Sequence, residues 1–125
     1  MKRNWDTIRE LLTKVEECTL PVEMVRLSTF ASERAAEISY HMSLLIEAGL
    51  VKGQMSQTIG PEVKDFFAQR LTWDGHEFLD SIRSDTVWAK TKKVFLDKGV
   101  EMTFDLVKAI AKEAAATIIK GAFGD

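Results

Sequence analysis

The sequence predicts a mainly α fold with one small β-hairpin, an α+β arrangement, and three observations carry that prediction. Apolar residues recur at helical spacing in five segments, and each segment opens on a residue suited to capping a helix. Two extended runs, 51–57 and 63–71, flank Gly60-Pro61, a pair that favours a turn. The 125 residues are 46% hydrophobic and 29% charged. That is the balance of a folded domain rather than a disordered chain, and the length suffices to bury a core without covalent staples.

The elements follow in order. Asn4 is a good N-cap, and Trp5, Ile8, Leu11, Leu12 and Val15 then share one helical face. Asp6 suits the positive start of that helix, and Thr19-Leu20-Pro21 ends it, because proline cannot continue a helix. In 23–30, Val25 and Leu27 alternate with polar neighbours, which predicts a short strand; a short helical turn is the rival. Ser32 is placed to cap the second helix, whose buried stripe is Ala35, Ile38, Met42, Leu45 and Ile46, and Gly49 suits its left-handed exit. After the hairpin, Thr72 caps a helix that buries Phe78, Leu79 and Ile82. Ser84 or Asp85 caps the next, with Val87, Trp88, Thr91 and Phe95 inward, and Gly99 stops it. Thr103 opens the last helix, with Phe104, Leu106, Val107, Ile110, Ala114 and Ile118 as its stripe and Gly121 as its end. The expected organisation is a hairpin-bearing domain over 1–84 and a helical extension over 85–125.

Composition excludes several function classes. The net charge of −2 gives no support to nucleic-acid binding, although a local basic patch suffices for it. Cys18 is the single cysteine, so neither an intramolecular disulfide nor a thiolate metal cluster forms. With Glu16 and Glu17 beside it, Cys18 reads as a small buried residue near the end of the first helix. Met1-Lys2-Arg3 is followed by no apolar run, so it is no signal peptide. No uncharged apolar stretch reaches the ~18 residues of a membrane span, which makes the cytoplasm the expected location. His41 and His76 lack a ligand pattern around them. No nucleophile–base pair or phosphate loop is present, and Asp74, Glu77 and Asp80 are accounted for as acids near a helix start. No enzymatic activity, cofactor or metal is expected. Trp5, Trp73 and Trp88 are expected as core anchors or interface residues.

The segment Ile38 to Val51, ending Ala48-Gly49-Leu50-Val51, resembles the recognition helix and wing entry of winged helix-turn-helix proteins. Arg70-Leu71-Thr72-Trp73-Asp74-Gly75-His76-Glu77-Phe78-Leu79 resembles the matching exit, a strand whose closing threonine caps a glycine-bearing helix. Over nearly its whole length the chain is also similar to small bacterial and prophage-encoded proteins of a family of unknown function. The matching pieces include Tyr40-His41, Leu44 to Leu50, Leu71 to Asp80, and Ile82-Arg83 with Asp85-Thr86-Val87-Trp88. The resemblance implies a winged helix-turn-helix-like domain plus C-terminal helices and an association with mobile elements; it transfers no site residues. One departure stands out: the helix that braces a recognition helix on DNA has only 23–31 to form from.

The expected function is macromolecule binding, with DNA binding and transcription regulation as the first reading and a protein-interaction module as the alternative. Arg34, Tyr40 and Ser43 on the second helix and Lys52 and Gln54 on the wing are the candidate DNA contacts. Lys90 and Lys93, in the most basic stretch of the chain, are further phosphate candidates. Glu33, Glu37 and Glu47 on the second helix argue for a protein partner instead. The alanine-rich last helix is the expected homodimer contact, through Leu106, Ile110, Ala114 and Ile118.

Overall fold

The computed structural model describes residues 1–57 and 59–122; position 58 and the last three residues of the expected extension, 123–125, lie outside the described residues. The architecture is mainly helical with a two-stranded antiparallel hairpin, as predicted. Its elements are α1 (Trp5–Glu16), α2 (Ala35–Glu47), β1 (Val51–Met55), β2 (Phe66–Leu71), α3 (Trp73–Ile82), α4 (Asp85–Lys98) and α5 (Phe104–Ala122). The chain divides into two compact units, Met1–His76 and Glu77–Asp125.

In the first unit, α1 packs on α2 and β2, and α2 packs on β1. The Asn4 side chain caps α1 by accepting from the Asp6 and Thr7 N–H groups. Ile8, Leu11, Leu12 and Val15 then bury one face of that helix. They meet Ile38, Met42 and Leu45 of α2 and Phe66, Ala68 and Leu71 of β2 in the core of this unit. Full burial of each such side chain contributes about 1.5–3 kcal/mol. At Gly49 the backbone turns to φ +75°, a conformation L side chains rarely adopt, and delivers Leu50 and Val51 back into the core at the start of the hairpin.

Two close approaches need glycine. A Cβ at Gly53 would lie 2.5 Å from the Phe67 carbonyl oxygen, and one at Gly75 would lie 2.0 Å from that of Leu50. The first lets the strands close at a bulge. The second lets the start of α3 sit directly on the chain leaving α2. There Thr72 accepts from the Gly75 N–H through its hydroxyl while donating to the Gly49 carbonyl.

In the second unit α4 packs on α5. Ser84 caps α4 through the Val87 N–H, and Val87, Trp88, Thr91 and Phe95 are its buried face, as the sequence predicts. The Phe78 and Phe104 rings stack with centroids 4.7 Å apart. The buried positions of α5 are Val107 and Ala111.

Several expectations need correction. Helix α1 ends at Glu16, five residues before Pro21, so proline is not what stops it. Ser32 opens a short 3-10 turn, Ser32–Arg34, instead of capping α2. The strand expected within 23–30 is reduced to one bridge, Val25 with Ala68, followed by a 3-10 turn at Leu27–Thr29. Asp65 causes this change: its carboxylate accepts the Leu27 N–H at 3.0 Å, which removes that donor from any ladder. Trp73 is 78% exposed, which removes the core-anchor half of its expectation, and Cys18 is half-buried rather than buried. The last helix runs through Gly121 to Ala122.

Candidate functional site

The first cluster of polar side chains joins α1 to α2. His41, 1% exposed, accepts the Asn4 backbone N–H at Nε2 (2.8 Å), and its Nδ1 lies 2.7 Å from the Glu37 carbonyl oxygen. With Nε2 accepting, the ring proton belongs on Nδ1, where it donates to that carbonyl. The Thr7 hydroxyl donates to the Glu37 carboxylate. Arg34 meets Glu10 through two bonds of 2.9 Å each and reaches Glu37 at 3.1 Å. The Glu10 and Glu37 carboxylates raise the Arg34 guanidinium above its usual range. The Thr7 hydroxyl, with Arg34 next, holds the Glu37 carboxyl below its own. Arg34 is therefore engaged with two carboxylates across the α1–α2 seam.

The outward face of α2 is different in character. Ala36, Tyr40 and Glu47 are exposed. The Tyr40 ring stands edge-on to His41 at 5.7 Å. Ser43 is half-buried and its hydroxyl donates to the Tyr40 carbonyl at 2.6 Å. Tyr40 and Ser43 thus fall together, and Arg34 does not join them.

The hairpin builds a second surface. Lys52 lies opposite Arg70, Gly53 opposite Ala68 and Gln54 opposite Phe67, with a register break between Lys52 and Gly53 that leaves Gln69 as the extra residue. Phe66 and Ala68 point into the core, while Phe67 and Gln69 point out. A hollow of about 370 Å³ opens on this outer face, lined by Met24, Lys52, Gly53, Gln54, Phe67 and Gln69. The Arg26 guanidinium sits 4.6 Å from the Phe67 ring centroid and is bonded to Asp65 at 2.5 Å. Burial pushes the Asp65 carboxyl up, but the Leu27 and Phe66 N–H groups and the Arg26 guanidinium outweigh it and hold the group below the usual carboxylate range. The Ser39 hydroxyl ties the loop end of the hairpin to α2 by donating to the Lys64 carbonyl at 2.7 Å. Lys52 and Gln54 therefore share one surface, joined by Met24, Arg26, Phe67 and Gln69, which the sequence did not single out. Besides the predicted hairpin with Lys52 and Gln54, the Val25 and Leu27 alternation is the sequence signal that pointed to this neighbourhood.

The remaining candidates lie in the other unit. Lys90 and Lys93 border a groove of about 470 Å³ between α4 and α5, with Val94, Ile110 and Ala114 in its wall. Lys93 bonds Asp97 at 2.9 Å. Leu106 and Ile118 are exposed, whereas Ile110 and Ala114 are half-buried, so the four expected dimer residues do not form one continuous exposed seam. Among the described residues, no three His, Cys, Asp or Glu side chains are grouped to hold a metal ion, and no helix is long and apolar enough to cross a membrane.

Fold and surface together define a small α+β protein in which a helix turns at a glycine into a hairpin whose outer face is polar, cationic and aromatic. The chain belongs to the family described as hypothetical protein (DUF2513), matched over residues 2–101, a span that ends before α5. It is 36% identical over 112 residues to an uncharacterized protein of Haemophilus influenzae (strain Rd), covering 90% of this chain and 93% of that relative. No solved structure matches the chain.

Proposed function

We propose that this chain is a winged-helix, DNA-binding regulator carried by a mobile element, acting in the cytoplasm as a homodimer. The observation that carries the reading is the hairpin surface. Lys52 and Arg70 are exposed and face each other across the strands, and Lys64 is exposed in the loop that joins them. Phosphate contacts of this kind supply most of the sequence-independent affinity for DNA. Helix α2 contributes Tyr40 and Ser43 as further contacts, while Arg34 stays with Glu10 and Glu37. The helix-to-hairpin order and the glycine exit of α2 support the winged-helix assignment, and the family resemblance supports the mobile-element origin. The exposed Leu106 and Ile118 support pairing through α5.

The test is a mobility-shift titration with mixed-sequence duplex DNA. Binding is expected at low salt and falls steeply as salt rises. The double substitution Lys52→Glu, Lys64→Glu abolishes it, and Arg34→Met leaves it within about twofold. Absence of binding at low salt, or indifference to the two hairpin lysines, refutes the DNA reading. A light-scattering mass of one chain refutes the homodimer.

A second reading rests on a specific observation: the outward face of α2 presents Tyr40 between Ala36 and Glu47, with no cation of its own on that side. Such a face suits a protein partner, since an exposed aromatic ring gives large contact area at low entropic cost. On that reading Tyr40→Ala removes a co-purifying protein and hairpin substitutions do not.

A further inference from the structure

We propose that the outer face of the hairpin is a site for single-stranded DNA, in which one unpaired base enters the hollow beside Phe67. This rests on the DNA-binding reading above and names the form of DNA that the surface takes. Duplex DNA shows a protein its phosphates and the edges of its bases; only an unpaired strand shows the faces. The hollow is built for a face. Its floor and walls are Gly53, Phe67 and Met24, with Phe67 36% and Met24 43% exposed. Both side chains remain open to solvent although the core of this unit lies on the other side of the same strands. The volume, about 370 Å³, accommodates a planar heterocycle.

The rim supplies the complementary chemistry. Gln54 and Gln69 border the hollow with amides that both donate and accept, as a base edge requires. Lys52 stands at the same border to meet the adjoining phosphate. Arg26 holds one side of the Phe67 ring in place through its cation–π contact and is itself fixed by Asp65. That acid is bound to a cation and two backbone N–H groups, so it is screened from an incoming phosphate. The bulge is what places the pieces together: the extra residue at Gln69 turns two successive side chains outward, and a Cβ at Gly53 would push the strands apart.

The experiment is fluorescence anisotropy of the full chain with a labelled mixed-sequence 20-mer, offered single-stranded as DNA, single-stranded as RNA, or as duplex DNA, at low and moderate salt. The single DNA strand is expected to bind most tightly. Phe67→Thr, which suits a strand, weakens that binding by about tenfold or more while changing duplex affinity less than twofold. Gln69→Glu, on the exposed face, weakens it similarly by repelling phosphate, which guards against a folding defect in the first variant. Lys52→Gln lowers the salt dependence of binding by about one phosphate contact. Single-strand binding that is indifferent to Phe67→Thr and Gln69→Glu, or that is no tighter than duplex binding, overturns this inference, and duplex binding that needs Lys52 and Lys64 then leaves the DNA-binding reading standing. Preference for the RNA strand overturns it as well. Failure of all three oligonucleotides to bind overturns both.

Discussion

Gly75 offers the sharpest test of how the hairpin exit is packed. Inside a helix, Gly→Ala ordinarily stabilises by about 1 kcal/mol. Here the added methyl would lie 2.0 Å from the Leu50 carbonyl oxygen, 3.0 Å from its carbon and 3.3 Å from the Leu71 Cβ. An ordinary carbon–oxygen contact is about 3.3 Å, so the start of α3 and the chain at Leu50 must separate by ~1.3 Å. Neither side yields easily. The Leu50 carbonyl accepts the Thr72 N–H at 3.0 Å, and the Leu50 N–H donates to Leu45 at 3.0 Å. Overpacking of this kind costs about 1–3 kcal/mol, and the Thr72 cap, which grips the Gly75 N–H, loses about 1 kcal/mol more as it shifts. After the gain in helix propensity, Gly75→Ala is expected to destabilise by about 2 kcal/mol, a fall in melting temperature of roughly 8–16 °C for a unit of this size. Urea titration followed by circular dichroism at 25 °C measures it. Gly49→Ala is the companion: nothing lies within 4 Å of its Cβ, but φ is +75°, so its cost is the left-handed backbone alone, about 1 kcal/mol. A Gly75→Ala protein as stable as the wild type would refute the packing argument.

Three further outcomes are expected. Thr72→Ala removes the hydroxyl that serves both the Gly75 N–H and the Gly49 carbonyl, and lowers unfolding free energy by about 1–2 kcal/mol in urea, whereas Thr72→Ser retains most of it. His41→Leu leaves the Asn4 N–H without its buried acceptor and costs about 2 kcal/mol; hydrogen exchange at the first turn of α1 accelerates in the same variant. The folded Asp65 carboxyl sits below its unfolded value, so its contribution is complete above the unfolded pKa near 3.9 and is lost as pH falls through the folded one. Melting temperature accordingly drops on acidification below about pH 4, and Asp65→Asn makes that part of the profile shallower.

What the sequence revealed depended on how far apart the interacting residues lie. Asn4, Thr72, Ser84 and Thr103 each accept from an N–H two or three residues on, so a local reading of caps found four helix starts. Ser32 failed by the same test, because the chain makes a 3-10 turn before α2 begins. The stripes of α1 and α4 were legible because burial there follows helical spacing. The stripe of α5 was legible only in part, since its buried positions are Val107 and Ala111. Partners that are distant in sequence were hidden. Arg34 looked available for DNA because Glu10, 24 residues earlier, gives no local sign of meeting it. The bridge at Val25 stops at Leu27 because of a carboxylate 38 residues away. Phe67 was not singled out because in Phe66-Phe67 either ring satisfies a two-residue alternation, and the bulge that decides between them is a property of the pair of strands.

The order of pairing also determines which edge of the sheet is open. Val25 bonds to one side of β2 and β1 to the other, so β2 is the inner strand and, among the described residues, β1 faces outward with no further strand beside it. An open backbone edge invites a neighbouring molecule to continue the sheet. Here the edge is five residues long, is interrupted by the irregularity at Lys52 and Gly53, and carries an ammonium group on its second residue. Shortness, irregularity and charge are the usual deterrents to such growth, and the same residues that shape the outer hollow thereby keep the margin of the sheet from recruiting another chain.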